Sequence, residues 1–107
     1  MSLFEERERA FEQAFIRQQE TQFRAVALRN RLLGEWAAQR IGLKGRDGDA
    51  YVDEIVASAT FAAVDEPLMA KIGSDFDARG IVCDEALIRA KMAEFLSQAT
   101  QRLQAGG

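Results

Sequence analysis

Cys83 is the one thiol of this 107-residue chain, and no histidine accompanies it. Neither a thiolate–imidazole pair nor a Cys/His zinc site can therefore be assembled. A small apolar residue beside a helix start is the simpler reading of Cys83. Carboxylates are plentiful, but they fall on helical faces and at helix starts such as Asp49, Asp65 and Asp84, not as a pair suited to acid–base work. Gly42, Gly45 and Gly48 bracket Lys44, Arg46 and Asp47. They lack both the preceding strand and the G-K-[ST] ending by which a glycine-rich loop cradles phosphate. These residues point away from an enzyme and require no cofactor or metal.

The remaining chemistry is that of contact. Phe4, Phe11 and Phe15 fall within about 20° of one line on a helix at 100° per residue, forming a narrow aromatic rail. Glu5, Glu6, Arg7, Glu8, Arg9, Glu12 and Arg17 clothe the other sides, with Ala10 between the first two turns of the rail and the next. That is the pattern of an amphipathic helix that lies in a groove of another protein. The candidate partner-binding residues are therefore Phe4, Glu5, Glu6, Arg7, Glu8, Arg9, Ala10, Phe11, Glu12 and Phe15.

Something must hold this rail away from its own globule. A nearly unbroken helical pattern runs from Leu3 to Ile41 and at about 1.5 Å per residue would extend roughly 58 Å. A compact domain of this size is only about 35 Å across. Ser2 and Glu5 have the spacing of a capping box, so the helix is expected to begin at once, with Glu5, Glu6 and Glu8 complementing its dipole. Gln18, Gln19, Glu20, Thr21 and Gln22 interrupt the rail with polar groups, after which a rotated stripe of Phe23, Val26, Leu33, Ala37 and Ile41 begins, flanked by Leu32 and Trp36. The division predicted is an arm over residues 1–20 and a body over residues 21–107. The alternative is a kinked helix that returns the phenylalanines to the core.

Beyond Ile41 the punctuation is helical throughout. Asp49 is expected to cap a second helix burying Val52, Ile55, Val56, Ala59 and Ala63. Asp65, Glu66 and Pro67 stop it and open a third, with Leu68, Met69, Ile72 and Phe76 inside and Gly80 at its end. Asp84 caps a fourth, with Leu87, Ile88, Met92, Phe95, Leu96, Ala99 and Leu103 inside. Nothing reads as a strand, and four amphipathic segments with short connections predict an all-α four-helix bundle carrying a long N-terminal helix.

Composition is that of an ordinary soluble globule, 48% apolar and 29% charged. No membrane span or signal-peptide core is evident, so a cytoplasmic protein without direct membrane insertion is expected. Charge is uneven: residues 1–46 carry net +3 and residues 47–107 net −6. Arg24, Arg29, Arg31 and Arg40 alternate around their helix instead of forming one stripe, and no helix-turn-helix is present. A solvated surface partly paired with the acidic half explains them better than nucleic-acid binding. Two rivals are an adaptor that binds nucleic acid and a coiled-coil dimer along Phe23, Val26, Asn30, Leu33 and Ala37, with Asn30 setting register.

The segments Phe4-Glu5-Glu6-Arg7-Glu8-Arg9-Ala10-Phe11-Glu12, Phe23-Arg24-Ala25, Arg29-Asn30-Arg31-Leu32-Leu33-Gly34-Glu35-Trp36-Ala37-Ala38 and Ile88-Arg89-Ala90-Lys91-Met92 resemble the zeta subunit family of alphaproteobacterial F-type ATP synthases. The similarity runs over essentially the whole chain. It implies an intrinsic inhibitor of ATP hydrolysis, peripheral to the inner membrane through the synthase and monomeric when free. Its partners would be the catalytic alpha and beta subunits and the central rotor subunit. The inhibitory stretch implied is Ser2 to Gln19, with Phe4, Phe11 and Phe15 as anchors and Arg7, Glu8, Arg9 and Glu12 as polar contacts. Ala14, Ile16, Gln18 and Gln19 stand where the family pattern is more charged.

Overall fold

The computed structural model describes residues 2–59 and 65–106. Four helices follow one another: α1 (Leu3–Ile41), α2 (Gly45–Ser58), α3 (Glu66–Ala78) and α4 (Glu85–Ala105). No strand occurs among the described residues. The all-α four-helix arrangement with a long first helix is as the apolar periods require.

Helix α1 is a single unbroken element of 39 residues. It starts at Ser2, whose hydroxyl accepts from the Glu5 amide at 3.3 Å. The reciprocal bond of a capping box, from the Ser2 amide to the Glu5 carboxylate, is not formed. The helix ends at Gly42, whose φ of 88° lets its amide and that of Leu43 turn back onto the Ala38 carbonyl, at 3.0 and 2.9 Å. The polar run Gln18–Gln22 does not kink it. Because its length exceeds what the other helices can cover, the molecule measures 65 × 25 × 20 Å, with a radius of gyration of 17.7 Å.

The C-terminal half of α1 is the spine of the body, packed against α4 and α2, and α3 closes the bundle against α4. Leu33 and Ala37 of α1, Ile55 of α2, Ile72 and Phe76 of α3 and Ile88 and Met92 of α4 meet in one apolar cluster. Trp36 packs edge-to-face on Phe76 with ring centroids 5.7 Å apart, and the Arg40 guanidinium lies over the indole. At Gly34 the α1 and α2 backbones approach so closely that an added Cβ would sit 3.3 Å from the Val52 Cα. Polar links tie α2 to α3 as well: the Tyr51 hydroxyl donates to Asp75 at 2.8 Å, and the Lys71 ammonium donates to Glu54 at 2.7 Å.

Several expectations are corrected here. Helix α2 begins at Gly45, four residues before Asp49, and Lys44 occupies the N-cap without a side-chain bond. Gly45 and Gly48 thus belong to the helix. At Gly48 an added Cβ would meet the Leu43 carbonyl oxygen at 3.2 Å, a tight approach. The inner face of α2 is Tyr51, Val52 and Ile55, whereas Val56 is exposed; Ala63 lies outside the described residues. Asp65 stands at the N-cap of α3 but gives no capping bond, because its carboxylate is held by Arg29. Asp84 does cap α4, accepting from the Leu87 amide at 2.8 Å. The deeply buried line of α4 is narrower than the full apolar set: Ile88, Met92 and Ala99 are buried, Leu87, Phe95 and Leu103 are half-buried, and Leu96 is exposed.

Candidate partner-binding arm

Continuity of α1 is what creates the candidate site. Every residue from Leu3 to Arg24 is exposed, and the first buried side chain along the helix is Ala25. Phe23, expected to open the body stripe, remains 52% exposed. Phe4, Phe11 and Phe15 are 75%, 80% and 56% exposed. The kinked alternative, in which these rings return to the core, is not what the chain adopts. Leu3 and Ile16 add two more exposed apolar groups that the rail alone did not include. Both lie well off its line, so a narrow periodicity test passes over them.

Glu5, Glu6, Arg7, Glu8, Arg9, Ala10 and Glu12 surround the rail, all exposed. None of the charged side chains from Glu5 to Glu20 takes part in an ion pair or a side-chain hydrogen bond among the described residues. Between the rings of Phe4 and Phe11 lies an open notch whose walls are Arg7, Glu8 and Glu12. It exists because a seven-residue step between phenylalanines leaves a turn in which the rail has no apolar side chain.

The arginines of α1 divide sharply. Arg29, expected on a solvated surface partly paired with the acidic half, does pair with an acid of that half but is buried at 6% exposure. Its guanidinium donates twice to Asn30 Oδ1, at 3.1 and 2.9 Å, and twice to the Asp65 carboxylate, at 3.2 and 2.8 Å. A planar fork meeting two carboxylate oxygens is the geometry in which arginine binds most specifically. Asn30 is buried within its own chain, where it accepts from Arg29, and is not offered to a second helix as a register residue. The clasp at Arg29 lies past the arm's polar run and draws the start of α3 onto α1. The pairing spans 36 residues of sequence, and no local spacing signals it.

No nucleophile or acid–base pair emerges. Cys83 is half-buried, and burial pushes its thiol up from its ordinary value, opposed by Arg40 and reinforced by Asp84. Among the described residues no group of three or more His, Cys, Asp or Glu could hold a metal ion. No helix is long and apolar enough to cross a membrane.

Comparison with known proteins decides what kind of molecule presents such an arm. One protein family, ATPase inhibitor subunit zeta, matches residues 1–102. The chain belongs to that family. The match takes in both the arm and the bundle, so the zeta-subunit pattern includes the exposed segment as well as the core. No curated protein matches the chain. A protein whose structure was solved in solution by NMR is similar over 80% of this chain and 98% of its own, at 34% identity with a TM-score of 0.68. As a zeta-type ATPase inhibitor subunit, the chain is a regulatory protein and not an enzyme, and its function is inhibition of an ATPase.

Proposed function

We propose that this zeta-type subunit restrains ATP hydrolysis by an F-type ATP synthase. Residues 1–20 insert into a catalytic alpha/beta interface beside the central rotor, and residues 21–107 anchor the protein to the enzyme. The observation that carries the reading is the extension of α1 beyond its own bundle with Phe4, Phe11 and Phe15 in solvent. Aromatic side chains left in line on a helix gain free energy only when a second surface covers them. Each ring buried in the interface contributes about 1.5–3 kcal/mol.

No bond is made or broken. A helix held in an interface that closes during hydrolytic rotation is clamped harder as the rotor advances. Rotation in the synthetic sense opens the interface and frees it. The arm's affinity thus differs between two states of the enzyme, which any one-way brake requires. Work at this site would place the protein on the cytoplasmic side of the inner membrane, attached through the synthase and not through lipid. It would arrive as a monomer, because Leu33, Ile55, Ile72, Phe76 and Ile88 already bury one another within one chain.

The test is ATP hydrolysis by the cognate synthase, with the intact protein and with residues 1–19 deleted. Inhibition by the whole chain, lost on deletion while the helical signal of the body persists, is expected. A peptide of residues 1–20 should inhibit more weakly than the whole, because the body supplies effective concentration. Equal potency of peptide and intact protein would remove the anchoring role.

A further inference from the structure

The charge around the rail is not symmetric. At 100° per residue, Glu8, Glu12 and Glu5 lie on one side of the phenylalanine line, at about 40°, 80° and 100° from it, whereas Arg7 lies about 60° to the other side. The three carboxylates are spaced i, i+3 and i+7, so each faces a like charge on the next turn. Such pairs destabilise an isolated helix by a few tenths of a kcal/mol each. The dipole of α1 compensates in the first turn, where Glu5 stands, but its influence has faded by Glu12. Arg9 is near enough to neutralise the flank, yet it pairs with none of the three.

The same flank borders the notch between Phe4 and Phe11, which Arg7 closes from the opposite side. Two exposed phenyl faces about two turns apart, with two carboxylates along one edge, are complementary to a long cationic side chain. Its stem would lie between the rings while its charge met the acids. A lysine would satisfy the charge. A guanidinium satisfies the ring faces and both carboxylates together.

We infer that the surface receiving the arm inserts an arginine into the notch between Phe4 and Phe11, ion-paired to Glu8 and Glu12, and that this contact fixes the depth and rotation of the arm. The inference rests on the arm being the inserted segment. It adds that the receiving groove is basic along one wall only. The outward face, with Glu6 and Glu20 on the side opposite the rail, carries no such requirement. An antiparallel pair of arms from two copies is disfavoured by the same geometry, because it would set one glutamate flank against another.

Full-length variants assayed against ATP hydrolysis by the cognate synthase test this. Glu8→Gln with Glu12→Gln keeps side-chain size and removes two charges; it should raise the half-inhibitory concentration about tenfold or more and flatten its dependence on salt. Glu6→Lys with Glu20→Lys changes net charge further, on the outward face, and should raise that concentration at least about threefold less than the Gln pair does. Equal losses from both pairs would show that only overall charge matters and would overturn the inference. So would full inhibition by the Gln pair. In either case, persistent loss of inhibition on removing the phenylalanines would leave the insertion reading intact. A wild-type protein that does not inhibit would sink both.

Discussion

The arm over residues 3–20 and the body that begins at Ala25 are joined by one helix yet treat the same residue types in opposite ways. Phe11 stands 80% exposed on the arm, and Phe76 is wholly enclosed in the body. Arg7 meets no carboxylate, whereas Arg29 is gripped by Asp65 through two oxygens. Packing therefore cannot be what keeps the arm helical. Its support is a cap at Ser2 and the 17 helical residues, Ala25–Ile41, that the body already holds in register. A helix grown from a folded stem avoids the nucleation step that makes isolated segments of this length marginal. The difference assigns stability to the body and leaves the arm free for the recognition proposed above.

The widest separation is expected from paired phenylalanine substitutions. Phe76→Ala removes a fully buried ring from a core of small size and should cost about 3–5 kcal/mol. Phe11→Ala should alter stability by no more than about 0.5 kcal/mol. Urea denaturation followed by circular dichroism measures both. A comparable loss at Phe11 would mean that the arm packs onto the body in solution. Inhibition should invert the ranking: Phe11→Ala combined with Phe15→Ala forfeits about 3 kcal/mol or more, hence a hundredfold or more in half-inhibitory concentration. If that double variant inhibits like the wild type, the aromatic rail is not the gripping surface.

Next in size comes the clasp at the base of the arm. Arg29→Met should destabilise the body by about 1–2 kcal/mol, a figure discounted because the Asp65 side chain is half exposed. Asp65→Asn should cost less, and a double-mutant cycle between them should show coupling. Strict additivity would reduce the clasp to two independent side chains.

This pairing also marks the limit of what the sequence discloses. The number of helices, the line of phenylalanines and the caps at Ser2 and Asp84 follow from local spacing, because each depends on residues within a turn or two. The inner face of α3 at Leu68, Met69, Ile72 and Phe76 was legible for the same reason. Arg29 was not: an arginine among other arginines on a helix looks solvated until an acid from a distant segment is folded over it. Gly34 reads as a mild helix weakness, and only the approach of Val52 shows how tight a side chain would be there. The start of α2 was missed because three glycines resemble a linker, whereas Gly48 serves close contact inside a helix. The phenylalanines of the arm were visible as a pattern, but their exposure depended on whether α1 bends.

The smallest effect expected concerns the polar link between α2 and α3, and it separates the regions by pH. Tyr51 donates to Asp75, and burial, then that bond and the Asp75 charge, push its phenol well above the ordinary 10.0. Lys71 is also raised, chiefly by its hydrogen bond to Glu54, with burial opposing. Both groups hold their protons more tightly folded than unfolded. Their contribution is therefore complete below the unfolded values near pH 10 and is lost as pH rises through the higher folded ones. The arm has neither tyrosine nor lysine, so the alkaline loss belongs to the body alone. Tyr51→Phe should cost about 1 kcal/mol at neutral pH. It should also make the decline above pH 10 shallower, leaving the parts due to Lys71 and Cys83. Urea midpoints measured from pH 8 to 11.5 for both proteins would decide it, since parallel curves would mean that the phenol takes no part in the alkaline transition.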